Sequence, residues 1–150
     1  MNTFEEIIQF AIKHEEAEAG FYENMANRTD NKDAKQALRA HANEEREHKR
    51  HLENILQNNR LSDGAKRYPD PDMKLSDYLV TKVTEDSVGS FEDALLLAAK
   101  REKKAELLYR NLAKHATDDE LRKVLLFLAD QERCHGDRLE QQFDDSLTDN

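Results

Sequence analysis

The sequence predicts an all-α fold: a four-helix bundle over residues 1–150, built as a single domain from two duplicated helical hairpins joined by a long crossover. Three observations carry this expectation. Only four glycines and two prolines occur in 150 residues, too few breakers to punctuate a strand-rich chain. Apolar residues, 37% of the total, recur at the three- and four-residue spacing of amphipathic helices, with charged residues, another 37%, between them. Finally, the second half of the chain repeats the first.

The elements follow in order. Thr3 and Glu6 have the spacing of a capping box, and Phe4, Ile7, Ile8, Ala11 and Ile12 continue at helical period, so the first helix is expected over about 4–27. Polar residues 28–33 form a turn. A second helix is expected over about 32–58, with Leu38, Ala42, Leu52 and Ile55 on its apolar face. Residues 59–89 hold Pro69, Pro71 and Gly64 and read as the crossover, with a short helix over 75–84 capped by Ser76. Ser90 with Asp93 caps a third long helix over about 91–114. Thr117 with Glu120 caps a fourth over about 118–143, and the polar residues 144–150 read as a frayed tail.

Shifting the chain by 87 positions lays residues 3–56 over residues 90–143 without a gap, and 15 of the 54 pairs are identical. The hairpins are therefore expected at about 3–58 and 90–143. A solenoid needs at least three units, so a two-copy repeat of hairpins points instead to a bundle.

The repeat also singles out the candidate chemistry. Only His48 and His135 have a glutamate three residues before them, Glu45 and Glu132, and the two pairs are repeat equivalents. Three residues on a helix bring two side chains to one face a turn apart, where a carboxylate and an imidazole can hold one ion. Each pair is accompanied by an equivalent lone glutamate, Glu15 or Glu102. Glu15 and Glu45 are equally distant from the first turn, and Glu102 and Glu132 from the second. Each trio therefore lies at one height, roughly 22 Å from its turn at 1.5 Å per residue. Any one of these glutamates alone reads as a solvated helix residue; the matched set of six reads as a metal site. Four buried carboxylates without counter-charge would be prohibitively unfavourable, and two divalent cations balance them. Oxygen donors with one imidazole per ion suit iron or manganese. Ala11, Ala42, Ala98 and Ala129 lie near the ligand positions, where small side chains let helices approach. Tyr22 and Tyr109 each lie seven residues after a lone glutamate. They are candidates to hydrogen-bond the ligands or pass electrons, and equally read as plain core tyrosines.

These residues resemble the ferritin-like di-iron carboxylate superfamily, and within it the rubrerythrin-type domain, over nearly the whole chain. The resemblance implies two iron ions, with manganese or a mixed pair as the variant. It implies that Glu45 and Glu132 bridge, Glu15 and Glu102 are terminal ligands, and His48 and His135 bind one ion each. It further implies reduction of hydrogen peroxide, or reaction with dioxygen, in an oxidoreductase that cycles between diferrous and diferric states. Two departures stand out. Rubrerythrins proper carry a four-cysteine rubredoxin module, whereas this sequence has only Cys134, so electrons are expected from a separate, rubredoxin-like donor protein. They also carry an extra carboxylate three residues after the third-helix glutamate, where this chain has Ala105. Its repeat equivalent is Glu18, which reads either as an extra ligand beside the second iron or as a solvated glutamate. The alternative function is iron binding or ferroxidase activity serving storage or detoxification.

The remaining residues carry less. His41 reads as a partly buried structural histidine or as a neighbour of the ligands; His14, His51 and His115 read as surface, and Cys134 as a boundary thiol. The formal charge of −9 argues against nucleic acid and anionic lipid as partners. No apolar run approaches the roughly 20 residues of a membrane span, and the first residues lack a signal-peptide pattern, so the cytoplasm is the expected compartment. A homodimer is the expected assembly.

Overall fold

A computed structural model of the chain describes residues 3–59, 91–116 and 119–148. They form four helices: α1 (Phe4–Arg28), α2 (Lys32–Asn59), α3 (Phe91–Lys114) and α4 (Asp119–Thr148). The chain divides into two compact units, one holding the α1–α2 hairpin and the other the α3–α4 hairpin. The expected crossover, the short helix over 75–84 and the caps at Ser90 and Thr117 lie outside the described residues.

Helix α1 starts where its capping box places it. The Glu6 amide donates to Thr3 Oγ1 at 3.1 Å, and the Thr3 amide donates to Glu6 Oε2 at 3.0 Å. Such a cap stabilises a helix start by about 1 kcal/mol. Helix α2 is capped by Asn31, whose Oδ1 accepts from the Ala34 amide at 3.0 Å. Among the described residues no helix is long and apolar enough to cross a membrane.

Each hairpin has its own apolar seam. In the first, Ile7, Ile8, Ala11, Tyr22, Ala26, Leu38, Ala42 and Leu52 are fully or almost fully buried; in the second, Leu95, Ala98, Leu108, Tyr109, Leu125, Ala129 and Leu139 are. Ion pairs clasp the outer edges, with opposite polarity in the two copies. Arg46 on α2 reaches Glu23 on α1 at 3.1 Å, whereas Arg110, the repeat equivalent of Glu23, reaches Asp130 on α4 at 2.9 Å. Pairs this exposed contribute at most about 1 kcal/mol each.

Helix α4 runs five residues further than the sequence predicts, through Thr148 rather than ending near Phe143. Residues 144–148 are not a frayed tail. They contain no glycine or proline to stop the helix, and Gln141 Nε2 donates to Asp145 Oδ1 at 3.0 Å, an i,i+4 side-chain pair that favours continuation.

The two glycines inside helices differ. A methyl group on Gly136 would lie 3.7 Å from Glu102 Cβ and 3.9 Å from the Ala99 carbonyl oxygen, so α4 passes close beside α3 next to the lone glutamate. At Gly20 a methyl group would meet nothing within 4 Å. Gly20→Ala is therefore expected to stabilise the protein by about 0.5–1 kcal/mol through the lower backbone entropy of alanine, measurable by urea denaturation.

Candidate metal centre

The helical period decides which side chains meet. On α1 the buried residues Phe4, Ile8, Ala11, Glu15, Glu18, Tyr22 and Met25 follow one another at three- and four-residue steps, so two carboxylates stand in the middle of an apolar stripe. On α2, Leu38, Ala42, Glu45, His48 and Leu52 do the same. Packing these two stripes together forces the carboxylates and the imidazole into one another's company.

In the first hairpin His48 Nδ1 stands 3.6 Å from Glu15 Oε2 and 3.6 Å from Glu45 Oε2. One donor atom from each of Glu15, Glu45 and His48 lies within 4.8 Å of the others. Both glutamates are fully buried and His48 nearly so. These separations exceed the usual hydrogen-bond range of about 2.7–3.2 Å and approach the spacing of neighbouring ligands on one ion with bonds of about 2.1 Å. The other oxygen of Glu45, Oε1, lies 3.5 Å from His41 Nε2. The Glu45 carboxylate thus offers one oxygen to each of two sides.

The second hairpin repeats the approach of the histidine to the lone glutamate. His135 Nδ1 stands 3.9 Å from Glu102 Oε2, both groups are fully buried, and Glu132 is buried one turn before His135. In both copies Nδ1 is the imidazole atom turned toward the lone glutamate.

The electrostatics of the first hairpin are those of a crowded acid site. Burial by itself would push the Glu15 carboxyl up from 4.5. Interaction with the Glu45 carboxyl and with the His48 ring 3.6 Å away, together with the positive potential of His14 and His48, outweighs burial and holds it down at about 2. Glu15 is therefore held ionised, a state suited to binding a cation.

Several side chains differ from expectation. Glu18 is fully buried, which excludes the solvated reading. His14, His51 and His115 are half-buried rather than open on the surface, and Cys134 is exposed rather than at the boundary. His41 is 9% exposed and stacks on Tyr22, with ring centroids 3.9 Å apart and planes 17° apart, while its Nε2 approaches Glu45. It is both a packed histidine and a neighbour of the carboxylates. Tyr22 and Tyr109 are fully buried. Sequence reasoning missed Arg101, a guanidinium only 5% exposed immediately before Glu102. The repeat equivalent of Arg101 is His14, so each hairpin places a cationic or protonatable group directly before the lone glutamate.

A family model described as Rubrerythrin matches residues 6–143. The chain belongs to the rubrerythrin family. A solved structure of a hypothetical protein from Pyrococcus furiosus is similar to this chain, with a TM-score of 0.74 and 23% identity over 96% of this chain and 90% of the other. That likeness shows the fold, the ferritin-like four-helix bundle expected from the sequence. No curated protein matches the sequence. Within the rubrerythrin family, the buried glutamates and the paired histidines of both hairpins have the donor chemistry of a ferritin-like di-iron domain: hard oxygens in excess and one imidazole per repeat.

Proposed function

We propose that this rubrerythrin-family protein is a di-iron oxidoreductase that reduces hydrogen peroxide with electrons from a separate donor protein. The observation that carries the reading is the buried Glu15, Glu45 and His48 trio, with donor atoms within 4.8 Å, whose sequence equivalents Glu102, Glu132 and His135 are buried as well. Closed on each other, the two half-sites would bring together four carboxylates and two imidazoles. The residues present fit two divalent ions: four negative charges meet four positive ones, and neither thiolate nor a second imidazole per repeat is required. Glu15 and His48 would hold one ion, Glu102 and His135 the other, and Glu45 and Glu132 would span both, a role that the opposite outlook of the two Glu45 oxygens supports. When bound, the iron pair supplies electrons to a peroxide O–O bond.

The chain's own residues do the rest. The apolar stripes of Ile8, Ala11, Ala98 and Ala129 exclude bulk water from the carboxylates, which strengthens every electrostatic interaction among them. Tyr22 fixes the His41 ring by stacking, and His41 in turn faces Glu45 Oε1, so both act as positioning residues in the first hairpin. Tyr109 is buried at the repeat position of Tyr22, where Leu128 stands in place of His41. Glu18, buried three residues after Glu15, is the candidate for an additional carboxylate ligand, in the repeat position where the second hairpin has Ala105.

Stopped-flow mixing of the iron-loaded, chemically reduced protein with hydrogen peroxide and separately with dioxygen tests this reading. Oxidation much faster with peroxide is the expected result. Rapid dioxygen consumption with growth of a ferric mineral would overturn it in favour of ferroxidase activity, and failure to bind metal after anaerobic iron loading would overturn both.

A further inference from the structure

The two hairpins repeat each other inside but not outside. On α3, Leu96, Lys100, Lys103, Lys104 and Leu107 are all exposed, the two leucines by 37% and 52%. At 100° per residue these five positions fall on one stripe about 16 Å long. Leu96 is six residues before Glu102 and Leu107 five after it, so the stripe is centred at the height of that glutamate. It is turned roughly 140° away from Glu102 around the helix, onto the outer face of the helix that carries the candidate ligand. The equivalent positions on α1 are Gln9, Lys13, Glu16, Ala17 and Gly20, also exposed. The α1 stripe is polar and neutral; the α3 stripe carries two leucines and three positive charges on a chain of net charge −9. Because α1 forms the same kind of helix in the same kind of hairpin without these residues, folding does not demand them.

We propose that the α3 stripe is the docking surface for an acidic one-electron donor protein. The inference rests on the proposed oxidoreductase function, which requires such a donor. Charge complementarity selects the occupant. An isologous dimer through this face would set three lysines against three lysines, whereas an acidic carrier meets them with opposite charge and covers the leucines. Reduction of one peroxide to two waters consumes two electrons and two protons, so two carriers must dock and leave in each turnover, each oxidised by one electron. A small, salt-sensitive patch with an apolar centre suits such brief encounters better than a large apolar one. The position at the height of Glu102 leaves about one helix diameter, roughly 10 Å, between the docked protein and the ligand face.

The test is binding of dye-labelled, zinc-substituted rubredoxin, an acidic carrier made redox-silent, followed by fluorescence anisotropy. Saturable binding to the wild type is expected, weakening as salt is raised. The K100E/K103E/K104E variant is expected to bind at least ~10-fold more weakly, and L96Q/L107Q also more weakly, while K13E on the α1 face binds as the wild type does. No binding to the wild type, or equal binding by the triple variant, would overturn the proposal. So would a wild-type dimer that L96Q/L107Q dissociates in sedimentation, since the stripe would then belong to a second copy. Metal content and peroxide oxidation of the same chemically reduced preparations report separately on the proposed function, because neither needs the donor.

Discussion

Glu45→Ala is expected to leave the protein unable to retain either metal ion, with metal content by mass spectrometry falling from about two per chain to none. The geometry makes Glu45 different from its neighbours. Its Oε2 faces His48 at 3.6 Å while its Oε1 faces His41 at 3.5 Å, so one carboxylate serves two sides. Removing it takes a donor from both positions and half a unit of neutralising charge from each. His48→Ala removes one donor from one position only, and is expected to retain about one metal per chain. The proposed peroxide reduction should vanish in both, since its two-electron step draws on both metal ions. A Glu45→Ala protein that still holds two metals would refute the bridging role, whereas loss of one metal would make Glu45 a terminal ligand like Glu15. Because Glu45 is fully buried, the variant also leaves a cavity, and far-UV circular dichroism is needed to show that helices remain.

How far the sequence carries depends on which force sets each feature. The start of α1 was legible because the Thr3 and Glu6 side chains make the bonds that define it, and the buried Ile7, Ile8 and Ala11 follow at helical period. The end of α4 was not. Residues 144–148 lack an apolar period, so nothing in a pattern of burial marks them, and their helix is sustained by backbone bonds and the Gln141 to Asp145 contact. The burial of Glu45, His48, Glu132 and His135 was legible because a matched Glu-x-x-His in two repeats is improbable in a solvated face. Glu18 was harder to read. An acid on a helix defaults to the surface, and only its place on the stripe from Phe4 to Met25 marks it as interior. Arg101 escaped for the same reason: a charged residue is read as exposed, and its repeat equivalent His14 reads as surface as well. At Glu18 and Arg101 alike a charged side chain occupies an interior position, against the ordinary sorting of residues by polarity.

Removing the metals is expected to lower thermal stability steeply. A ligand that binds only the folded state at a thousand times its dissociation constant adds about 4 kcal/mol. Two such sites therefore give about 8 kcal/mol, and for a chain of this size that is a fall of roughly 20 °C in Tm after chelation. The structure supplies the reason that the loss is felt: Glu15, Glu18, Glu45, Glu102 and Glu132 are all fully buried, and without cations their charges must be met by histidines and shared protons alone. The pH dependence of the metal-free protein has a definite sign. Glu15 is held at about 2, below its ordinary 4.5, so its ionised form is favoured by folding. That contribution is complete above the ordinary value and is lost as pH falls from there through about 2. Denaturant titrations of the chelated protein between pH 6 and pH 2 are expected to show stability falling in this window, and Glu15→Gln is expected to flatten the fall. A chelated protein as heat-stable as the loaded one would mean that the buried acids are satisfied without metal and that the donor cluster is not a cation site.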